Sequence, residues 1–191
     1  TITKYSSSFV DNLVIKYGST TVKTVNGITN GASVSFTTAE LNTIYSLMST
    51  VNSGAFSFEI TTYNGSTSVG SSSQTATGSI TGANPTFSSS NITYKDNNST
   101  TTAVTGNNQY LVQNLSKLLV TITAATGNKG ATISKYEATL NGVTKTITSA
   151  GNIDYGVINS GSNLTLSVKV TDSRGNTSTA TKTIQFLPWT L

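Results

Sequence analysis

The sequence predicts an all-β chain built as two β-sandwich domains, on three observations. Val, Ile, Thr, Tyr and Phe recur in short runs of period two, as strands with one buried face require. Asn-Gly turn signals punctuate those runs at Asn26-Gly27, Asn30-Gly31, Asn64-Gly65 and Asn141-Gly142. Gly82-Ala83-Asn84-Pro85 interrupts the alternation once near the middle, where the residue before proline is pushed to extended backbone. This places an N-terminal β-sandwich domain, with a short helix near 38–50, at residues 1–82, and a C-terminal immunoglobulin-like β-sandwich domain at 85–191.

In the first domain, Asn12 to Tyr17 puts Leu13, Ile15 and Tyr17 on one side, and Thr21 to Val25 follows. With Val34-Ser35-Phe36 these runs read as a meander. Thr37 and Glu40 form a capping box, and Leu41, Ile44, Tyr45 and Met48 share one face of the expected helix, which is placed across one end of the sandwich. Ala55 to Thr61 alternates with Phe56, Phe58 and Ile60 inward. The strand returning from Asn64-Gly65 is expected to begin near Thr67, break at Ser71-Ser72-Ser73 and resume from Thr75 to Thr81.

The second domain offers Ile92 and Tyr94, a polar turn at Asp96 to Thr101, and a core strand with Leu118, Val120 and Ile122. A hairpin about Asn141-Gly142 follows, then Leu164 to Val170, a reversal at Asp172 to Asn176 and a last strand over Ala180 to Phe186. About seven short strands in roughly 100 residues is the pattern of an immunoglobulin-like sandwich. Without cysteine the Cys-Trp-Cys signature of antibody domains is missing, so this likeness is architectural.

Composition narrows function by exclusion. No histidine and no cysteine means no Ser-His or Cys-His relay, no disulfide and no imidazole or thiolate metal site. The seven acids, Asp11, Glu40, Glu59, Asp96, Glu137, Asp154 and Asp172, present no pair of the kind that glycoside hydrolysis needs. The chain is therefore read as non-enzymatic, with no catalytic, metal or cofactor-binding residues and no cofactor. Ser and Thr fill about a third of the positions, against 9% charged residues, so the surface is hydroxyl-rich. The net charge of +4 comes from ten scattered lysines and Arg174, without the basic cluster that nucleic acid requires. No apolar run is long enough to span a bilayer and no signal peptide stands out. The run Phe186 to Trp189 close to the end reads as a cut from a longer chain.

Three motifs are read structurally. Asp172-Ser173-Arg174-Gly175-Asn176 has too few carboxylates for a calcium loop and is read as a turn. Gly65 to Ser73 lacks the lysine of a phosphate loop. Lys117 or Lys135 beside Glu137 would serve a Lys–Asn amide cross-link if either lysine were buried. Among the aromatics Tyr63, Tyr94, Tyr110, Tyr136, Tyr155 and Trp189, the two in turn-rich segments, Tyr110 and Tyr155, are the candidates for glycan contact.

Two stretches carry a family resemblance. One runs from Asn84-Pro85-Thr86-Phe87 through Gly130 to Tyr136 and the Asn141-Gly142 hairpin. The other is Val168 to Ser178, with its Asp172-Ser173-Arg174-Gly175-Asn176 reversal. Together they resemble repeat modules in tail structural proteins of siphophages infecting Gram-positive bacteria. Ile60 to Gly65, followed by Val69-Gly70, is similar to the domain that precedes such modules. The resemblance implies a virion tail or tail-tip component, extracellular, acting as a spacer or host-surface contact. Its partners would be other tail proteins, further repeats of the same chain, or host cell-wall polysaccharide, with neither nucleic acid nor membrane insertion. The alternative reading is a carbohydrate-binding or adhesin module of a bacterial surface protein.

Overall fold

The computed structural model describes residues 6–188, and the chain divides into two compact units with the break after Gly82. Nearly all regular structure is β, with two short α-helices.

The N-terminal unit contains β1 (Phe9–Tyr17), β2 (Thr20–Val25), α1 (Thr38–Leu47), β3 (Ser53–Asn64) and β4 (Thr67–Ser79). The four strands form one antiparallel sheet in the order β2-β1-β3-β4. Tyr17 pairs with Thr20 to close the first hairpin, and Leu13 and Ile15 face Ile60 and Phe58 across β1 and β3. Alternation places Leu13, Ile15, Val22 and Phe56 on one face, where Ile28, Ile44 and Met48 cover them. The capping box starts α1 as its sequence requires. Thr37 Oγ1 accepts from the Glu40 amide at 3.3 Å, and Glu40 Oε2 accepts from the Thr37 amide at 2.7 Å. Of the expected stripe, Ile44 and Met48 are buried and Leu41 and Tyr45 half-buried.

Three expectations for this unit are corrected. Among the described residues it holds a single sheet, not the two of a sandwich. The physical reason lies in β4, whose only apolar side chains are Val69 and Ala76, so it has no inward face to lay against a second sheet. Residues 26–37 form no strand; Val34 and Phe36 pack on the core from a loop, so the meander ends after β2. And β4 runs unbroken through Ser71-Ser72-Ser73, because the uninterrupted β3 supplies a hydrogen-bonding template opposite every one of those serines.

The C-terminal unit contains β5 (Ile92–Asp96), α2 (Ser99–Thr105), β6 (Tyr110–Val112), β7 (Lys117–Ile122), β8 (Ile133–Leu140), β9 (Val143–Ile147), β10 (Gly151–Val157), β11 (Leu164–Asp172) and β12 (Thr177–Leu187). One sheet has the order β10-β7-β5 and the other β6-β12-β11-β8-β9. All neighbours are antiparallel except β6, which runs parallel to the end of β12. Side chains from both sheets, among them Ile92, Leu118, Val120, Tyr136, Leu166, Val168 and Ile184, share one core. The β8–β9 hairpin turns on Asn141 and Gly142 at φ 48° and 78°, the two positive values of a type I′ turn. Two elements depart from expectation. The supposed turn at Asp96 to Thr101 leads into α2, and Tyr110 lies in β6.

Candidate functional site

The seven carboxylates are the place to look for chemistry, and the fold uses each of them. In the N-terminal unit Glu59 pairs with Lys16 at 2.6 Å, Glu40 with Lys23 at 2.8 Å, and buried Asp11 accepts from Thr62 Oγ1 at 2.6 Å. The Lys23 ammonium, followed by the Thr37 amide, holds the Glu40 carboxyl below its usual range. In the C-terminal unit Glu137 lies between Lys169 at 3.0 Å and Lys135 at 3.1 Å, which lower its pKa in that order. Asp154 accepts from the Gly156 amide at 2.7 Å within a bulge of β10.

Asp172 makes the reversal between β11 and β12. It is 2% exposed, and its Oδ1 accepts from the Arg174 and Asn176 amides at 2.9 and 2.8 Å. The Asn176 side-chain amide donates to Oδ2 at 3.1 Å. Arg174 turns back to donate to the carbonyls of Asn128 and Lys129. This is a clamp between two loops, and it places a guanidinium in the same turn that would have to hold a calcium ion. The cross-link reading also lacks its premise, since Lys117 is exposed and Lys135 has an accessible side chain.

Asp96 is the most elaborate node. It ends β5 with 4% exposure, and its two oxygens receive four donors. Oδ2 accepts from Thr101 Oγ1 and from Ser116 Oγ at 2.6 Å; Oδ1 accepts from the Asn98 and Lys117 amides at 2.9 and 3.0 Å. Burial by itself pushes this carboxyl up, but the four donors outweigh it and hold the pKa below the ordinary value. The node ties together β5, α2 and the β6–β7 turn. Asn98 starts the helix by accepting from the Thr100 amide at 3.1 Å, and Gly106 ends it in the left-handed region. Asp96-x-Asn98 followed by Ser and Thr was the available signal for this cap, hidden because a run of seven such residues, Asp96 to Thr102, reads equally as a turn.

Beside Asp96 the surface dips into an open groove of about 440 Å³ between α2 and the β5 end, lined by Lys95, Asn97, Ser99, Thr102, Ala103 and Asn108 as well as Asp96. It presents amides, hydroxyls and one ammonium. With the carboxylate already saturated by donors, the groove offers hydrogen bonds to a neutral polar ligand and no free general base. Among the described residues no three potential ligands of the His, Cys, Asp or Glu type gather to hold a metal.

The two tyrosines singled out from sequence do not converge. Tyr110 is 40% exposed on edge strand β6. Tyr155 lies in β10, where its hydroxyl donates to the Ala138 carbonyl on β8 at 2.7 Å and its ring packs against the core. In the five-stranded sheet, β12 and β11 separate β6 from β8, roughly 14 Å at ordinary strand spacing. The exposed-turn placement of Tyr155 is thus corrected: it is half-buried and pins one sheet to the other. Tyr94 and Tyr136 are core residues whose hydroxyls bond backbone groups of Gln109, Gln185 and Ala125. Tyr63 is half-buried in β3, and Trp189 lies outside the described residues.

A family model described as "Siphovirus protein of unknown function (DUF859)" matches residues 1–190. No curated protein matches the chain. Among solved structures, the fibronectin(III)-like modules of CbhA from Clostridium thermocellum are similar with a TM-score of 0.36 and 12% identity, over 96% of this chain and 83% of that one.

Proposed function

Because the chain belongs to this siphovirus family, we propose that it is a non-enzymatic structural protein of the virion, part of the tail or tail tip, in which the C-terminal unit is an immunoglobulin-like spacer module. One observation carries the reading: every Asp and Glu of a chain without histidine or cysteine is spent on holding turns, caps and strand pairs together, and Asp96, the one that borders the groove, already has both oxygens taken up by four donors. Such a chain offers surface rather than chemistry. Two facing sheets with a shared core and clamped loops suit a spacer, which must resist proteolysis and transmit force.

The groove beside Asp96 supports a second reading, contact with the neutral hydroxyls of host wall polysaccharide through Asn97, Ser99 and Asn108. A binding assay on purified wall polysaccharide at increasing salt distinguishes the two. A spacer with +4 net charge shows no binding, or only a weak attraction to anionic polymer that fades as the screening length falls from about 10 Å at 0.1 M to about 3 Å at 1 M. Saturable, salt-resistant binding lost on Asn97→Ala would establish the glycan reading in its place. Antibodies against this chain should label the tail of intact virions, and labelling confined to the head would refute the tail assignment.

A further inference from the structure

Among the described residues, strand β4 is an unguarded sheet edge. It is the longest strand of the described residues, 13 residues from Thr67 to Ser79, and β3 pairs with only one of its two sides. Not one charged residue occurs in it, and all its residues except Gly78 are exposed. A free edge presents a row of backbone N–H and C=O groups to any strand that arrives, and proteins ordinarily block such edges with charge, brevity or bulges.

The other edges of this chain are blocked in that way. Edge strand β2 carries Lys23, β5 carries Lys95, β9 carries Lys145 and β10 carries Asp154, while β6 is only three residues long. On β4 the single irregularity, at Val69, lies near one end. From Gly70 to Ser79 the ladder with β3 runs without a register shift.

We propose that this edge is an interface between copies of the chain, in which β4 of one copy pairs antiparallel with β4 of a second about a two-fold axis, making one continuous sheet. A two-fold contact is self-complementary: each edge must accept its own residues. Strand β4 does so, since pairing it with itself opposes no like charges and sets Ser and Thr hydroxyls against one another, a favourable cross-strand pairing. No other long edge among the described strands meets that condition. Its rival in the same sheet, β2, is six residues long and holds Lys23, whose ammonium is already engaged with Glu40.

Size sets the strength. Ten regular residues span roughly 33 Å, and a sheet edge about 10 Å thick then covers roughly 330 Å² per copy, less than half the roughly 800 Å² per partner of a standard interface. The contact is therefore weak and concentration-dependent for free chains.

Sedimentation equilibrium of the 191-residue chain over a wide concentration range tests this. The average mass should climb toward that of a dimer, and Ser71→Lys with Thr75→Lys, both exposed and paired with Thr61 and Ser57 on the face away from the core, should weaken association at least tenfold while leaving the melting temperature unchanged. Since the chain has no cysteine, single cysteines placed at Ser71, Ser73, Thr75 and Thr77 give a readout independent of the lysine variant. A disulfide-linked dimer should form best at one or two neighbouring positions, and hardly at all from Thr146→Cys on β9. A mass that stays at one chain throughout, association undiminished in a folded lysine variant, or cross-linking as strong at the β9 control would overturn the proposal.

Discussion

Among the described residues, the two sheets of the C-terminal unit share a core of sixteen buried hydrophobic side chains, whereas the single sheet of the N-terminal unit belongs to a core of seven, to which a helix and a loop contribute. Phe58 and Ile60 of β3 mark the difference: they alternate inward as well as Leu166 and Val168 do in β11, yet they remain only half-buried. The alternation in the strand is the same; what differs is the neighbour. Beside β11 lie β8 and β12, which bring Tyr136, Ala138 and Ala180. Beside β3 lie β1, which brings Leu13 and Ile15, and β4, which brings only Ser72 opposite Ile60 and Gln74 opposite Phe58. A strand's own pattern sets which face is apolar, and its partners decide how completely that face is dried.

The largest expected effect follows from this contrast. Leu166→Ala empties space in a fully closed core and should cost about 2–5 kcal/mol, whereas Ile60→Ala removes atoms already half in water and should cost about 1 kcal/mol or less. Denaturant unfolding of the whole chain, with a fragment from Asn84 onward that should unfold cooperatively alone, assigns each loss to its unit. Equal costs would mean that the N-terminal sheet is covered as fully as the C-terminal core.

The second effect concerns acid. Asp96 gives the C-terminal unit a buried, four-donor carboxylate whose pKa is held below its ordinary value; half-buried Glu40 is the N-terminal counterpart with a lowered pKa. A group depressed in the fold contributes stability above its unfolded pKa, about 3.9 for Asp, and the contribution is lost as pH falls through the lower folded value. The C-terminal unit should therefore lose stability below about pH 4. Asp96→Asn should flatten that limb and cost on the order of 2 kcal/mol at neutral pH, the range for hydrogen bonds to a charged acceptor. An Asn variant with an unchanged acid limb would show that the dependence arises elsewhere.

Much of the C-terminal fold was legible because its signals are local and redundant. Val168 and Val170 alternate, Asn141-Gly142 fits only a positive-φ turn, and Asp172 to Asn176 carries its own hydrogen bonds. In the N-terminal unit, Thr37 with Glu40 announced α1 for the same reason. What failed depended on distant partners. Ser71-Ser72-Ser73 has no strand preference of its own and is extended only because β3 lies beside it. Similarly β6 exists because the end of β12 passes parallel to it. The groove beside Asp96 was illegible for that reason too, since its walls come from β5, α2 and the segment before β6. Tyr155 was misplaced because Asp154-Tyr155-Gly156 looks like a turn and is in fact a bulge within β10.

That bulge supplies the smallest effect and the finest test of the contrast, because Tyr155 bridges the two sheets of the C-terminal unit and a single-sheet unit has nothing equivalent to bridge. Its hydroxyl donates to Ala138 at 2.7 Å, and Lys145 Nζ lies 5.3 Å from its ring centroid. Tyr155→Phe keeps the ring and removes one hydrogen bond, leaving the Ala138 carbonyl without that donor, so it should cost about 1 kcal/mol at neutral pH. Burial also pushes the Tyr155 phenol up to about 12. The sign follows directly: a pKa raised above the unfolded value of about 10 means that the fold keeps this proton longer. Its contribution to stability is whole below about pH 10 and is lost as pH rises toward the folded value. Alkaline titration followed by tyrosinate absorbance should show a late step that Tyr155→Phe removes, in step with the stability of the C-terminal unit and without change in the N-terminal one. A late step that survives the substitution would mean that Tyr155 is not held between the sheets.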